Sequence, residues 1–144
     1  MKVKDLILSR QEIYSIAEST TVHEAARFLR DKEVRSVGVC DENGKLIGVV
    51  SQSDISDKVA AENKCPAWMR VSEIMTANPT TVSPEVPLDE CLRVMEKLGV
   101  FHLPVIDPNG DYRGMISVKD LLKVMVMDEK ARADMLEAFL FPQR

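Results

Sequence analysis

A short polar motif follows an apolar segment at two places in this 144-residue sequence. It runs from Gly48 to Asp54 as GVVSQSD and from Gly114 to Asp120 as GMISVKD. The serine and the aspartate of each copy form a Ser-x-x-Asp pattern, which is typical of a helix start. A helix start leaves the glycine unexplained, since a glycine inside an apolar strand usually marks a bulge or the close approach of a ligand. A helix N-terminus beside such a strand also favours a bound phosphate group.

Catalytic chemistry has little support in the sequence. The only histidines, His23 and His102, lie in different halves of the chain, and no motif pairs a nucleophile with a base. Cys91 falls on an apolar helix face, where a free thiol acts as a small hydrophobic group. Neither a His-x-x-x-His spacing nor a pair of closely spaced cysteines occurs, so we expect no metal site. We therefore expect a protein that is not an enzyme and that requires no cofactor.

The composition argues against two further classes of partner. A net charge of -4 disfavours nucleic acid, because phosphate contacts by a broad basic surface dominate such binding. No stretch approaches the ~20 apolar residues of a membrane helix, and the residues after Met1 lack the hydrophobic region of a secretion signal. We expect a cytoplasmic protein without a membrane partner. The cysteines are too widely spaced for a disulfide framework, and Cys40, which ends an apolar strand pattern, is predicted to be buried.

An internal repeat contains both copies of the motif. Residues 16–59 align with residues 82–125 without gaps, and the glycine, serine and aspartate of the motif fall at equivalent positions. In each copy the pattern predicts a helix, two strands joined by an Asn-Gly turn, and a second helix. The first helix is predicted from about Thr21 to Lys32 in one copy and from Pro87 onward in the other.

These elements predict the domain organisation and the fold class. We expect a first unit over 1–62, a linker over 63–70, a second unit over 71–127, and a C-terminal helix and tail over 128–144. The class is α/β (α+β): two pseudo-symmetric units, each a small three-stranded sheet packed with helices, sharing one core. Trp68 in the linker is predicted to cover the core, as tryptophan usually buries its ring.

The tandem Gly-hydrophobic-x-Ser/Thr-x-x-Asp pattern identifies a resemblance. It follows an apolar hairpin whose first strand contains Pro104, and the two copies together resemble the cystathionine-β-synthase (CBS) domain pair, also called a Bateman module. The resemblance extends from about Val3 to Met127. The chain looks most like the small free-standing bacterial members, whose second half carries a His-Leu-Pro-Val segment.

The resemblance implies that an adenosine compound binds in the cleft between the halves: AMP, ADP, ATP, NAD(H) or S-adenosylmethionine. The two motif aspartates would accept hydrogen bonds from ribose hydroxyls, and the two serines would face ribose or phosphate. Backbone at two further places would read the adenine edge, and basic residues would hold the phosphates. The implied nucleotide-binding residues are Gly48, Ser51, Asp54, Gly114, Ser117 and Asp120 in the motifs, Ile13, Tyr14, Thr80 and Thr81 for adenine, and Arg35, His102 and Lys119 for phosphate.

We therefore expect a regulatory sensor that signals through a change of conformation, to a regulated protein that the sequence does not identify. The alternative is a ligand-free dimerisation or scaffold module, in which the Ser-x-x-Asp pairs are only helix starts. The copy with Asp120 is predicted to bind more strongly, because Lys119 and His102 stand where the first copy has Ser53 and Ser36.

A twofold-symmetric homodimer is also predicted, since the chain has more apolar helix surface than two small sheets can cover. The residues that suggest spare apolar surface are Leu121, Leu122, Met125, Met127, Leu136, Phe139 and Leu140.

Overall fold

A computed structural model describes the backbone of most of the chain. The described residues are 1–8, 10, 12–127 and 129–140, and their side chains are described except at 125–127, 129–132, 135 and 139. The helices are α1 (Val3–Ile7), α2 (Val22–Lys32), α3 (Gln52–Ile55), α4 (Leu88–Leu98), α5 (Val118–Met127) and α6 (Glu129–Leu140). The strands are β1 (Ser15–Ala17), β2 (Ser36–Cys40), β3 (Leu46–Ser51), β4 (Thr76–Ala77), β5 (His102–Ile106) and β6 (Tyr112–Ser117). A π-helical turn, Ser56–Ala60, continues α3, and 3-10 turns lie at Pro66–Trp68 and Val71–Glu73.

The chain divides into two compact units, and each contains one copy of the repeat. One unit combines Met1–Ile13 with Thr80–Arg144, and the other is continuous from Tyr14 to Pro79. The N-terminal segment therefore packs with the second copy of the repeat. Backbone hydrogen bonds hold it there: the amide of Val3 donates to Val86 O at 2.9 Å, and the amide of Lys4 donates to Pro84 O at 2.9 Å.

The continuous unit is built on a four-stranded sheet in the order β1-β2-β3-β4. β1 is parallel to β2, and the other two pairs are antiparallel. The predicted turn at Asn43-Gly44 joins β2 to β3, and Gly44 has the positive φ of 77° that such a turn favours. The first helix begins as predicted, since Thr21 Oγ1 accepts a hydrogen bond from the Glu24 amide at 3.1 Å.

The discontinuous unit has a two-stranded sheet, β5-β6, extended by an isolated parallel bridge between Val82 and Val105. At the repeat offset this bridge corresponds to the pairing of Ile16 with Val39 in the other unit. The mixed α and β class is confirmed, but three strands in each unit is not what forms. β4 adds a fourth strand to the sheet of the continuous unit. In the other unit, Val82 alone among the described residues stands in the place of a third strand: its amide donates to Pro104 O and its carbonyl accepts from the Ile106 amide, both at 3.0 Å.

Each unit has a hydrophobic core of its own, where one shared core was expected. In the discontinuous unit the apolar stripe of α4 is entirely buried, and Val3 and Ile7 of α1 join the same cluster. The core of the continuous unit gathers the inner face of α2 around β2 and β3. The α4 stripe consists of Leu88, Cys91, Leu92 and Met95.

The predicted burial of one residue and the predicted exposure of another are wrong. Trp68 is 85% exposed and does not cover the core, because Val71 and Ile74, directly after the linker, fill that place. Leu121 is completely buried instead of adding to the apolar surface, since it lies on the inner side of α5 with Val124. Of the cysteines, the two predicted core residues are buried and Cys65 is exposed. No helix within the described ranges is long and apolar enough to cross a membrane.

Candidate functional site

The first motif folds as the start of α3. Ser51 Oγ accepts a hydrogen bond from the Asp54 amide at 3.2 Å, and Asp54 Oδ2 accepts one from the Ser51 amide at 2.9 Å. The Ser51 hydroxyl also donates to Asp54 Oδ2, at 3.1 Å. This reciprocal pair is a capping box, which satisfies backbone donors at the helix end.

The second motif repeats this geometry at the start of α5. The Asp120 amide donates to Ser117 Oγ at 3.1 Å, and the Ser117 amide donates to Asp120 Oδ2 at 2.9 Å. The helix-start interpretation of the Ser-x-x-Asp pattern is therefore confirmed in both copies. A ligand contact at the same groups stays a prediction, since a carboxylate has about four acceptor positions and the cap uses few of them.

The two aspartates differ in the cation that neutralises them. Lys58, one turn along the same helical segment, contacts Asp54 Oδ1 at 3.1 Å and donates to Ile74 O at 2.8 Å. Arg10 Nη2 contacts Asp120 Oδ2 at 2.7 Å, from a position 110 residues away in the sequence. Arg10 Nη1 also donates to Met115 O. Sequence reasoning missed Arg10, because no local pattern links it to a motif so distant in the chain.

Glycine is required for a different reason in each motif. A strand bulge, one of the two features that a glycine inside an apolar strand indicates, is present in both copies. The strand register shifts between Val39 and Cys40 beside Gly48, and between Val105 and Ile106 beside Gly114. A Cβ on Gly48 would overlap the side chain of Met75 and lie 3.0 Å from Thr76 O. The close approach at Gly48 is thus made by the chain itself.

Gly114 has a φ of 120°, a conformation that residues with a side chain rarely adopt. A Cβ there would lie 3.5 Å from Arg10 Nη1, which is an ordinary contact distance. The backbone conformation, and not crowding, therefore requires glycine at this position. The absence of a side chain also lets the Arg10 guanidinium lie directly beside the strand.

The compact units separate the remaining candidate residues. Tyr14 and Arg35 are in the continuous unit with the first motif, and Arg35 is exposed while its carbonyl accepts from the Gln52 amide at 3.0 Å. Lys119 is exposed in the first turn of α5, and His102 pairs with Ser117 across β5 and β6. The discontinuous unit holds Ile13, Thr80, Thr81, His102, Gly114, Ser117, Lys119 and Asp120.

Ser36 occupies the place that His102 has in the second copy, opposite Ser51 in the sheet. It is 6% exposed, and among the described residues its hydroxyl has no hydrogen-bond partner. A buried hydroxyl without a hydrogen-bond partner is unfavourable.

The buried thiols lie outside the motifs. Burial raises the pKa of Cys91 to about 12, with a further contribution from the neighbouring carboxylates of Glu90 and Asp89. Burial likewise raises the pKa of Cys40. A nucleophilic cysteine needs the opposite shift, so neither thiol has the electrostatic environment of a reactive group. Among the described residues, no cluster of histidine, cysteine or acidic side chains can hold a metal ion.

Comparison with known proteins gives one family. The CBS domain family matches two segments of the chain, residues 3–61 and 71–127. A homoserine O-acetyltransferase from Methanohalobium evestigatum is 30% identical over 123 residues, which is 85% of this chain and 24% of that protein. The chain thus spans about a quarter of the length of that relative.

Solved structures share the whole fold. A protein with CBS domains from Burkholderia ambifaria is 28% identical, with a TM-score of 0.82 over 90% of this chain and 96% of that one. The CBS domain pair of protein MJ0100, solved with 5′-methylthioadenosine and S-adenosyl-L-methionine, is 27% identical, with a TM-score of 0.78 over 88% and 97%. CBSX2 in complex with AMP is 25% identical, with a TM-score of 0.73 over 88% and 96%. These matches confirm the resemblance that the tandem motif indicates.

Proposed function

Because this chain belongs to the CBS domain family, we propose that it is a regulatory module that binds an adenine nucleotide and signals through a change of conformation. One observation carries the proposal: the Ser and Asp of the motif recur in the same local geometry in both copies. Two similar CBS structures that hold adenosine compounds support it. The candidate ligands are AMP, ADP, ATP and NAD(H), with S-adenosylmethionine as a further adenosine compound to test.

The Asp120 copy is the stronger site in this proposal. Both carboxylate oxygens of Asp54 are engaged, Oδ2 by Ser51 and Oδ1 by Lys58. In the part of the chain that the structure describes, Asp120 accepts hydrogen bonds only at Oδ2, so Oδ1 is left for a donor such as a ribose hydroxyl. A ligand hydroxyl therefore finds an acceptor at Asp120 more easily than at Asp54.

Phosphate recognition points to the same copy. Lys119 is exposed in the first turn of the ten-residue helix α5, where its charge adds to the partial positive charge of the amides. The first copy has Ser53 at that place. A charge-assisted hydrogen bond contributes about 1.5–3 kcal/mol when shielded from water, which is about tenfold to a hundredfold in affinity.

Calorimetry with AMP, ATP and NADH tests the proposal on Asp54→Ala and Asp120→Ala, each first checked for folding by circular dichroism. Both variants lose the same capping interaction, so each is the matched control for the other. We expect Asp120→Ala to abolish the tighter binding event and Asp54→Ala to leave it in place. The assignment of the stronger site is wrong if Asp54→Ala abolishes binding and Asp120→Ala does not.

Thermal unfolding separates the sensor from the scaffold. A ligand at about 100 times its dissociation constant adds about 2.7 kcal/mol to the stability, a shift of several degrees in a chain of this length. The helix-start geometry of both motifs is the observation that favours a ligand-free scaffold. No shift with any of the adenosine compounds would favour that scaffold.

A twofold-symmetric homodimer in the cytoplasm, with a regulated partner protein, belongs to the same proposal. Leu122, Leu136 and Leu140 are 47%, 44% and 68% exposed on the last two helices, which supports an apolar contact surface there. The side chains of Met125, Met127 and Phe139 lie outside the described residues. Light scattering tests the assembly: a mass near the 16.2 kDa of one chain at micromolar concentration would contradict it.

A further inference from the structure

Arg10 occupies the acidic group of the proposed stronger site. Its Nη2 lies 2.7 Å from Asp120 Oδ2, and the side chains of Arg10 and Asp120 are only 28% and 27% exposed. Its Nη1 donates to Met115 O, the carbonyl next to Gly114. One guanidinium thus covers the glycine and binds the carboxylate of the same motif.

Within the residues that the structure describes, the first copy has no equivalent of this arrangement. The cation beside Asp54 is Lys58, four residues further along the same helical segment, so it belongs to the local structure of the helix. At the repeat offset, Lys58 corresponds to Val124, which is 1% exposed and part of the core. Asp120 therefore receives its cation from outside the motif and outside its helix.

We propose that Arg10 is an intramolecular gate of the Asp120 site. Arg10 binds Asp120 Oδ2 and lies against the strand, and a ribose that uses both carboxylate oxygens must displace it. This proposal rests on the proposed function, because it assumes that the site binds an adenine nucleotide. If Arg10 is a gate, its removal strengthens ligand binding. If Arg10 instead binds the phosphate of the ligand, its removal weakens binding.

The geometry indicates that Arg10 competes with a ligand for Asp120 and does not help to bind the ligand. Arg10 directs donors on two of its guanidinium nitrogens to two acceptors of the motif, so these donors do not face a ligand. A ribose that uses both of its hydroxyls on Asp120 needs Oδ2 as well as Oδ1, and Arg10 holds Oδ2. The Arg10–Asp120 ion pair is less exposed to water than a surface pair and more exposed than a buried pair. We therefore expect its removal to strengthen AMP binding about fivefold to tenfold.

The test is calorimetric titration of AMP into the wild-type chain and into Arg10→Gln, which removes the charge but keeps a polar side chain. Lys58→Gln is the matched control, because it removes the cation from the other motif aspartate. We expect tighter AMP binding by Arg10→Gln and unchanged affinity at the Asp120 site in Lys58→Gln. The gain should persist when Arg10→Gln is combined with Asp54→Ala and vanish when it is combined with Asp120→Ala.

The possible results separate the gate from the proposed function. Equal or weaker AMP binding by Arg10→Gln, with binding by the wild-type chain intact, overturns the gate and leaves the nucleotide site standing. Binding by Arg10→Gln alone supports both. No binding by any variant overturns both the nucleotide site and its gate. If Arg10→Gln does not fold, Arg10→Lys provides the second variant: its single ammonium cannot bond both acceptors as a fork, and we expect a gain of about twofold to threefold.

Discussion

Substitution of Gly48 by alanine tests the physical reason for glycine in the first motif. A Cβ at this position would lie 2.9 Å from Met75 Cγ and 3.0 Å from Thr76 O, and closer still to the Met75 sulfur. Distances this short do not occur for real Cβ atoms, so the methionine side chain must move or β4 must shift. Overpacking of this kind costs about 1–3 kcal/mol, and we expect Gly48→Ala to lower the free energy of unfolding by that amount.

A second substitution identifies the clash as the cause. Met75→Ala removes both overlapping side-chain atoms. The double variant Gly48→Ala/Met75→Ala should therefore lose less free energy of unfolding than the two single variants together, by about 0.5–3 kcal/mol. The rescue is expected to be partial, since Thr76 O stays in place. Gly44→Ala is the control for backbone strain alone, because Gly44 has a φ of 77° and a Cβ added there would have no atom within 4 Å.

The measurement is urea unfolding of the wild-type chain, these four variants and the double variant Gly44→Ala/Met75→Ala, with equal slopes required so that midpoints report stability. Gly44→Ala should be destabilised by about 1–2 kcal/mol through its left-handed backbone, and Met75→Ala should not rescue it. Strictly additive effects of Gly48→Ala and Met75→Ala would refute the reasoning, because they would show that the methionine does not make glycine necessary there.

Three further predictions concern titratable groups. One thiol per native chain, that of exposed Cys65, should react quickly with a thiol reagent, and the buried Cys40 and Cys91 should react only after unfolding. Because the pKa of Cys91 is raised from 9.0 to about 12 in the fold, the unfolded thiol ionises first. Stability should therefore fall between about pH 9 and pH 12, by up to about 1.4 kcal/mol per pH unit for Cys91. In pH-dependent urea unfolding, Cys91→Ala should lack this part of the loss and keep the part that the raised pKa of Cys40 causes. Hydrogen bonds from Lys2 and Lys4 lower the pKa of Glu85 in the folded chain. Its contribution to the free energy of unfolding is therefore present above the ordinary pKa of 4.5, and it is lost as the pH falls through the lowered pKa of the folded state. Glu85→Gln should lower the melting temperature slightly at pH 7, and the difference from the wild-type chain should disappear in strong acid.

Local features of the fold could be predicted from the sequence because short-range interactions determine them. The Ser51 and Ser117 helix starts depend on a side chain that reaches an amide three residues away. The hairpin turns depend on glycine at a positive φ, as at Gly44 and Gly110. The repeat then makes each local feature appear twice, and this tandem recurrence is what identifies the family from a single chain.

The ligand contacts themselves remain proposals, because the same residues that suggest them also serve as caps. A Ser-x-x-Asp pattern satisfies helix amides in both copies whether or not a ligand is bound. Sequence reasoning could therefore name Ser117 and Asp120 as candidates, and it could not separate their capping role from a binding role.

The sequence by itself determined the repeat, the helix and strand segments and the position of the polar motifs, since each depends on residues close together in the chain. Only the tertiary structure decided that residues 1–13 pack with the second copy, that Met75 and the Thr76 carbonyl make Gly48 necessary, and that Arg10 neutralises Asp120. These contacts join residues far apart in the sequence, and no local periodicity or spacing encodes them. They arise because burying apolar surface brings distant segments together, and the charges those segments carry are paired only once the fold has formed.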